Sequence, residues 1–362
     1  MRLLYVTARF PPHLGGTEIH TYEVARAMAR RGHEVAVITT DRSDRLPISE
    51  SSPGLEVIRV PAYPRDRDYY IAPALRRFVR YEQPDLVHVQ SYHTAVAPLT
   101  LRWLAHTDTP HLLSFHSGGS SKRWRRTIRP VQYRILRHFT GNARMMVAVS
   151  EFERHLFLER LGVPASGIEV IRNGVSQDII DQIGTVERNP DLIITAGRLE
   201  QYKGHHRALA AMPAVIDAIP DARLLVVGTG PYEHELRAQA RALGIGDAVS
   251  FTSVSQTDRG GMGRLLAGAA VTASFSDYEA EGIGAIESRA MGCRTVVTED
   301  TALAELVDDD LVHGVPAGAP TGIVADGLIR ALKAGTPEHR VTARTWADVT
   351  DDLEALYTRL LR

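Results

Sequence analysis

Cysteine is nearly absent: Cys293 is the one cysteine in 362 residues. A single thiol excludes an internal disulfide and any metal site built from several cysteines, and it fits a reducing compartment. Long apolar runs are also missing. No window approaches the roughly 18 uninterrupted apolar residues of a membrane span. The first apolar stretch, residues 3–8, is too short for a signal peptide and is followed at once by Arg9, Pro11 and Pro12. These absences imply a cytoplasmic globular protein. Charge of one sign is not in excess either. Lys and Arg number 42 against 43 Asp and Glu, for a formal net charge of -1, so bulk charge gives no support to a nucleic-acid partner. The chain has no Walker A loop and no three-glycine dinucleotide fingerprint, which argues against an ATPase and a dehydrogenase.

What is present is alternation. Apolar residues make up 44% of the chain, enough for two cores at roughly 100–200 residues per domain. Strands are expected over 3–8, 35–39, 57–60, 86–90, 112–115 and 146–149. Helices are expected over 17–31, 72–81, 95–105, 128–139 and 151–160. The pattern then restarts, with strands over 192–196, 224–227, 249–252, 271–275 and 295–298 and helices over 207–218 and 232–243. Strands apolar throughout, separated by amphipathic helices, imply parallel sheets covered on both faces. The fold class expected is α/β, with two doubly wound Rossmann-like domains: residues 1–178, residues 179–344 and a final helix over 345–362 that either packs on the nearest domain or crosses back to the first. The junction falls in the polar stretch 176–190, which lacks a strong strand.

Ligands of open parallel sheets bind beyond the carboxyl ends of the strands. After the first strand come His13, Gly15 and Gly16, where a backbone can approach a ligand closely, with Thr17 as a candidate helix cap. After another strand comes His116, followed by Ser117, Gly118 and Gly119; a histidine there can hydrogen-bond a sugar hydroxyl or act as acid or base. In the second half Arg198 and Lys203 stand five apart between Gly197 and Gly204, a spacing suited to a diphosphate. Glu279 and Glu287 stand eight apart, with Glu281, Gly282, Ile283 and Gly284 between them. Glu279 belongs to the loop and Glu287 to the early part of the next helix. Backbone N–H groups at that helix start favour an anion. A basic stretch holds Lys122, Arg123, Arg125, Arg126, Arg129, Arg134 and Arg137 among apolar residues. Its alternatives are an acidic acceptor site, an anionic membrane surface, or a helix packed on the first domain, and the last is preferred.

The segments GGTE, FHSGG, VSEFER, IRNGV, AGRLEQYKG, VVGTGP and EAEGIGAIE occur in that order over nearly the whole length. In this the chain resembles the retaining GT-B glycosyltransferases of glycosyltransferase family 4. The resemblance implies two Rossmann-like domains facing across a cleft, with acceptor bound by the first and donor by the second. It implies that Gly15 and Gly16 approach the donor phosphates, that His116 contacts the transferred sugar, and that Arg198 and Lys203 hold the diphosphate. Gly228 and Gly230 would shape the nucleotide pocket, Thr252, Ser253 and Val254 would grip the base, Glu279 and Glu281 to Gly284 would face the donor sugar, and Glu287 would bind the ribose. His13, Ser117, Gly118 and Gly119 fall to the acceptor. The donor expected is a UDP-sugar, then a GDP-sugar, with a hexose-type sugar passed to a hydroxyl and no metal or other cofactor. The alternatives for this chain are a GT-B sugar-nucleotide epimerase, a disaccharide synthase, or a non-catalytic nucleotide-sugar-binding protein. Arg289 and Arg294 depart from the family pattern. The Ala- and Arg-rich composition points to a high-GC bacterium.

Overall fold

A strand buried on both faces reads as a near-continuous apolar run, because successive side chains point to opposite sides. Residues 2–7 show this. Leu4 and Val6 join one buried cluster, while Leu3 and Tyr5 join another on the far face. The computed structural model describes residues 1–13, 15–43, 45–67, 70–119, 121, 123–255, 257–307, 310–337 and 342–362, without the side chains of 80–81 and 123–126. The chain divides into two units. One comprises Met1–Ser117, Trp124–Asn173 and Trp346–Arg362, the other Gly118–Arg123 and Gly174–Thr345.

The first unit is built on β1 (Arg2–Thr7), β2 (Glu34–Asp41), β3 (Ser49–Ser52), β4 (Leu55–Pro61), β5 (Leu86–Gln90), β6 (His111–Ser114), β7 (Met145–Ala148) and β8 (Ile168–Val170). Their order in the sheet is β3-β4-β2-β1-β5-β6-β7-β8, parallel except for the β3–β4 pair. The chain steps outward from β1 through β2 to β4, then crosses to the other side of β1 and steps out through β5 to β8. The helices are α1 (Gly16–Arg30), α2 (Leu75–Tyr81), α3 (Val96–Leu104), α4 (Arg123–Thr140) and α5 (Glu151–Leu161). Gly15, not Thr17, occupies the N-cap of α1, and no side chain caps it. Thr17 lies inside the helix because α1 begins one residue earlier than its apolar spacing suggests. α5 has a regular cap, with Ser150 Oγ accepting the Glu153 N–H at 3.0 Å. Along α4, Leu136 is buried while Val131 and Ile135 are exposed. Lys122 and the side chains of Arg123, Arg125 and Arg126 from the basic stretch lie outside the described residues.

The second unit carries α6 (Gln177–Ile180), β9 (Asn189–Ala196), α7 (His205–Ala218), β10 (Arg223–Val227), α8 (Glu233–Ala242), β11 (Val249–Thr252), α9 (Arg259–Ala267), β12 (Ala269–Ser274), α10 (Ile283–Ala290), β13 (Arg294–Thr298), β14 (Val312–Val315) and α11 (Thr321–Lys333). Its sheet is parallel in the order β11-β10-β9-β12-β13-β14. Here too the direction of travel reverses about the first strand, between β9 and β12. The stretch 176–190 is not strandless as expected, since β9 already begins at Asn189. Arg294, the unusual charge noted in the sequence, has a structural use. Its guanidinium donates to the carbonyls of Gly335, Ala334 and Asp310 and so closes the carboxyl end of α11. Arg188 does the same for α10 at Met291 and Gly292.

The last helix, α12 (Trp346–Leu360), groups with the first unit. Trp346, Val349, Leu353, Leu356 and Tyr357 enter the cluster that contains Tyr5 and Val24, while Arg31 of the α1 end pairs with Asp351 and Glu354. A buried polar chain fixes its far turn. Tyr357 Oη lies 3.0 Å from Tyr5 Oη and 2.6 Å from His88 Nδ1, and His88 Nε2 lies 2.7 Å from Ser114 Oγ. Burial pushes the Tyr5 and Tyr357 hydroxyls well above their ordinary pKa, so both stay protonated donors. Replacing Tyr357 by Phe leaves two buried groups short of a partner and costs about 1–3 kcal/mol. Trp103, Trp124 and Trp346, the three tryptophans of the chain, all belong to the first unit. Tryptophan fluorescence during urea unfolding is therefore expected to show an earlier midpoint for Tyr357→Phe, and an unchanged midpoint would refute this role.

Candidate active site

The reversal between β9 and β12 sets the carboxyl ends of two neighbouring strands side by side, and their loops diverge from there. The loop after β9 carries Arg198 to Gly204. The loop after β12 carries Phe275 to Gly282. Gly204, at φ +75°, joins the two: a Cβ there would overlap the carbonyl of Phe275. The Asp277 N–H donates to the Tyr202 carbonyl at 2.7 Å. On this support Lys203 Nζ reaches Glu279 Oε1 at 2.6 Å, and Ser276 Oγ donates to the same oxygen at 2.8 Å. Burial works to lower the Lys203 pKa, but Glu279 and Tyr202 outweigh it and the net shift is upward. Lys203 therefore stays cationic. Arg198 Nη2 donates to Tyr202 Oη at 2.8 Å, and Nη1 lies 3.1 Å from Glu200 Oε1.

His205, not singled out from the sequence, sets the Arg198 loop. Its Nε2–H donates to the Arg198 carbonyl at 3.1 Å, so its Nδ1 accepts from Thr195 Oγ1 at 2.9 Å. Burial lowers its pKa to about 4, which keeps the ring neutral. The signal available was its position directly after Lys203-Gly204 at a helix start. Gly228 and Gly230 turn out to serve packing. A Cβ on either would overlap the backbone of Gly197 or Leu199, while the Gly197 N–H donates to Val227 O at 2.9 Å and the Gly228 N–H to Thr252 O at 2.9 Å. These bonds stitch the loops after β9, β10 and β11 together, and Thr252, Ser253 and Val254 follow on that edge. Gly282, at φ +91°, occupies the N-cap of α10, where a side chain would meet Leu303. A Cβ on Gly284 would meet nothing within 4 Å. The N–H groups of Ile283 and Gly284 open α10 with no backbone partner among the described residues. Glu281 is buried, and Glu287 lies within α10, buried and paired with Arg259. Arg259 was also missed, because an arginine 28 positions away gives no local signal.

In the first unit the expected site residues gather less completely. His116 follows β6 with φ +46°, a backbone conformation rare outside glycine. Strain of this kind persists only where the surroundings hold it. Here its Nε2–H donates to Gln90 Oε1 at 2.6 Å, its ring lies 4.3 Å from that of His20, and its carbonyl accepts from His93 Nε2 at 3.1 Å. Burial, then the neighbouring histidines His20, His88 and His93, hold its pKa well below the usual histidine value. The ring is neutral, and its Nδ1 lone pair has no hydrogen-bond partner among the described residues. His20 Nδ1 lies 2.7 Å from Asn173 Oδ1. Glu153 accepts from the N–H groups of Ser117 at 2.5 Å and Val149 at 2.9 Å. Thus two segments quoted only as family signals, VSEFER and IRNGV, brace the His116 loop. Gly118 and Gly119 group with the second unit, unlike Ser117 and His13. A Cβ on Gly119 would overlap the Tyr202 ring. His13 is half-buried, and burial together with Arg9 and Arg42 lowers its pKa. Gly15 leaves room for the carboxylate of the buried Glu18, which a Cβ would displace, and Gly16 starts α1. Among the described residues no group of three or more His, Cys, Asp or Glu could hold a metal ion, and no helix is long and apolar enough to cross a membrane.

Residues 14–178 match Glycosyltransferase Family 4 and residues 176–342 match Glycosyl transferases group 1. The chain is 26% identical over 351 residues to the GDP-mannose-dependent alpha-(1-6)-phosphatidylinositol monomannoside mannosyltransferase of Mycobacterium tuberculosis, covering 91% of this chain and 89% of that one. It shares the fold of a sucrose-phosphate synthase from Thermosynechococcus elongatus, with a TM-score of 0.78 at 19% identity over 99% of both chains. It also shares the fold of HepE of Anabaena in complex with UDP and glucose, with a TM-score of 0.68 at 18% identity over 99% of this chain and 95% of that one.

Breaking the Lys203–Glu279 pair from one side strands a largely buried carboxylate. Lys203→Met is expected to destabilise the protein by about 2 kcal/mol, and the double variant Lys203→Met/Glu279→Gln to recover most of that. Urea unfolding followed by far-UV circular dichroism measures both; strict additivity of the two changes would show that the pair is not coupled.

Proposed function

The chain belongs to the glycosyltransferases of family 4, an enzyme that transfers sugar from a nucleotide sugar, and from that premise we propose that it moves a hexose-type sugar from a nucleoside diphosphate sugar to an acceptor hydroxyl, with retention of anomeric configuration and without a metal ion. The observation that carries this reading is the meeting of three features beyond β9 and β12: the cations Arg198 and Lys203, the carboxylate Glu279, and the open N–H groups that start α10. Cleavage of the sugar–phosphate bond loads negative charge onto the departing diphosphate. Arg198 and Lys203 stabilise that charge as it forms, joined by the amino end of α10. They supply from the chain itself what a divalent ion supplies in other transferases. Glu279, oriented by Lys203 and Ser276, faces the donor sugar, and Glu287 takes the ribose.

We assign the acceptor to the first unit. There His116 is neutral, and its Nδ1 accepts a hydrogen bond from a substrate hydroxyl instead of delivering a proton. Thr252 to Val254 take the base. UDP is the first choice of nucleotide, in line with the UDP held by a protein of this fold, and GDP the second, in line with the donor named for the mycobacterial relative. We read α4 as a helix packed on its sheet through Leu136, and the enzyme as a cytoplasmic, bacterial one.

Two outcomes check the reading in a transfer assay across UDP- and GDP-sugars. Lys203→Ala and Arg198→Ala each lower turnover by about 10²–10³, and His116→Ala lowers turnover more than it raises the donor KM; near-normal rates in all three would place the site elsewhere. Prolonged treatment with EDTA leaves the rate unchanged, and loss of activity restored by Mg²⁺ would overturn the metal-free mechanism.

A further inference from the structure

Glu287 is only 4% exposed. Burial pushes its carboxyl above the usual carboxylate range, and Arg259 opposes that shift without cancelling it. Arg259 comes from a separate element. It is the first residue of α9, whose cap is Asp258, with Asp258 Oδ1 accepting the Gly261 N–H at 2.7 Å. That cap fixes where α9 begins and hence where Arg259 projects. Arg259 Nη2 donates to Glu287 Oε1. Glu287 Oε2 has no hydrogen-bond partner among the described residues.

Stability does not account for this arrangement. A buried ion pair gains little over apolar residues of the same size, and here the guanidinium also buries its own Nε–H without a partner, which costs stability. What the pair does accomplish is chemical. Two vicinal hydroxyls donate best to an ionised carboxylate, which accepts at both oxygens with full charge, whereas a protonated one is a weaker acceptor and carries a donor of its own. A carboxylate with one oxygen anchored presents the other in a fixed direction.

We propose that Arg259 is a positioning residue for nucleotide recognition: it holds Glu287 ionised and turned toward the 2′- and 3′-hydroxyls of a ribose, and so makes the protein select ribonucleotides over deoxyribonucleotides. The proposal rests on the reading that Glu287 binds the ribose. Arg259 is the charged side chain acting on Glu287 among the described residues. Without it burial alone sets the carboxyl, whose pKa rises further. The acid is then protonated at low pH, and its ribose contact returns only as pH increases.

Isothermal titration calorimetry with UDP and 2′-deoxy-UDP, and in parallel with GDP and 2′-deoxy-GDP, tests this between pH 6 and 9. Both members of a pair carry the same diphosphate, so the ratio of their Kd values is free of phosphate titration. The wild type is expected to favour the ribonucleotide by about tenfold or more at every pH, the worth of a hydrogen bond to a charged group. Arg259→Met brings the ratio near one at pH 6 and restores it toward the wild-type value by pH 9. Arg259→Lys, which keeps the charge, retains the preference, and it carries the test if Arg259→Met does not fold. Glu287→Ala loses the preference at all pH values; if it does not, the ribose lies elsewhere and the underlying reading fails. If Glu287→Ala loses the preference but Arg259→Met keeps it at pH 6, or shows no recovery by pH 9, the role given to Arg259 is wrong.

Discussion

The contact between Lys203 Nζ and Glu279 Oε1 joins the two loops on which the second unit depends. Its origin is topological. The strand order reverses between β9 and β12, so two adjacent strands send their loops apart and leave a gap at their carboxyl ends. Gly204 lets one loop press on the carbonyl of Phe275, and the ion pair then spans what remains. Removing water from these charges strengthens their attraction. It also makes an unpaired member costly, which holds both side chains in one arrangement before any ligand arrives. Under the proposed function, a diphosphate would meet Lys203 and Arg198 already held by Glu279, Tyr202 and Glu200, with little ordering left to be done on binding.

Neutral histidines play the corresponding part in both units. His205 is kept uncharged by burial, and its single N–H orients the Arg198 carbonyl. His116 is kept uncharged by burial and by the nearby histidines, and its single N–H is spent on Gln90. In each ring one nitrogen is committed to the protein as a donor, and the tautomer is thereby decided. A histidine prepared in this way serves as a hydrogen-bond acceptor, not as a proton reservoir near neutral pH.

Much of the fold was legible in the sequence because buried parallel strands are predominantly apolar. The strands over 86–90 and 249–252 have the limits read from their residues alone. The strands that escaped notice sit at sheet edges or lack apolar runs. β3 is Ser-Glu-Ser-Ser and wholly exposed, β8 has three residues, and β14 is interrupted by His313 and Gly314. β3 leaves no hydrophobic trace because it is exposed throughout, and β8 and β14 are too short or too interrupted to show a run, whereas the edge strand β11 stays legible through Val249 and Phe251. The residues that brace the site were silent for another reason. Gln90, Asn173 and Arg259 act on partners 26, 153 and 28 positions away, and no spacing rule reaches that far. Gly228 and Gly230 carried a signal of their own, but the structure accounts for it first by the approach of two backbones.

By itself the sequence determined the alternation of strand and helix, the restart that makes two sheets, and the loops rich in glycine and charge after particular strands. Periodicity and local propensity are properties of neighbours along the chain, and a single sequence displays them. The strand order, and with it which loops become adjacent, was decided only in three dimensions. So were the burial that neutralises His116 and His205, the pairing of Arg259 with Glu287, and the return of α12 to the first unit. Each of these depends on the free energy of contacts between distant segments, which exist only once the chain has closed upon itself.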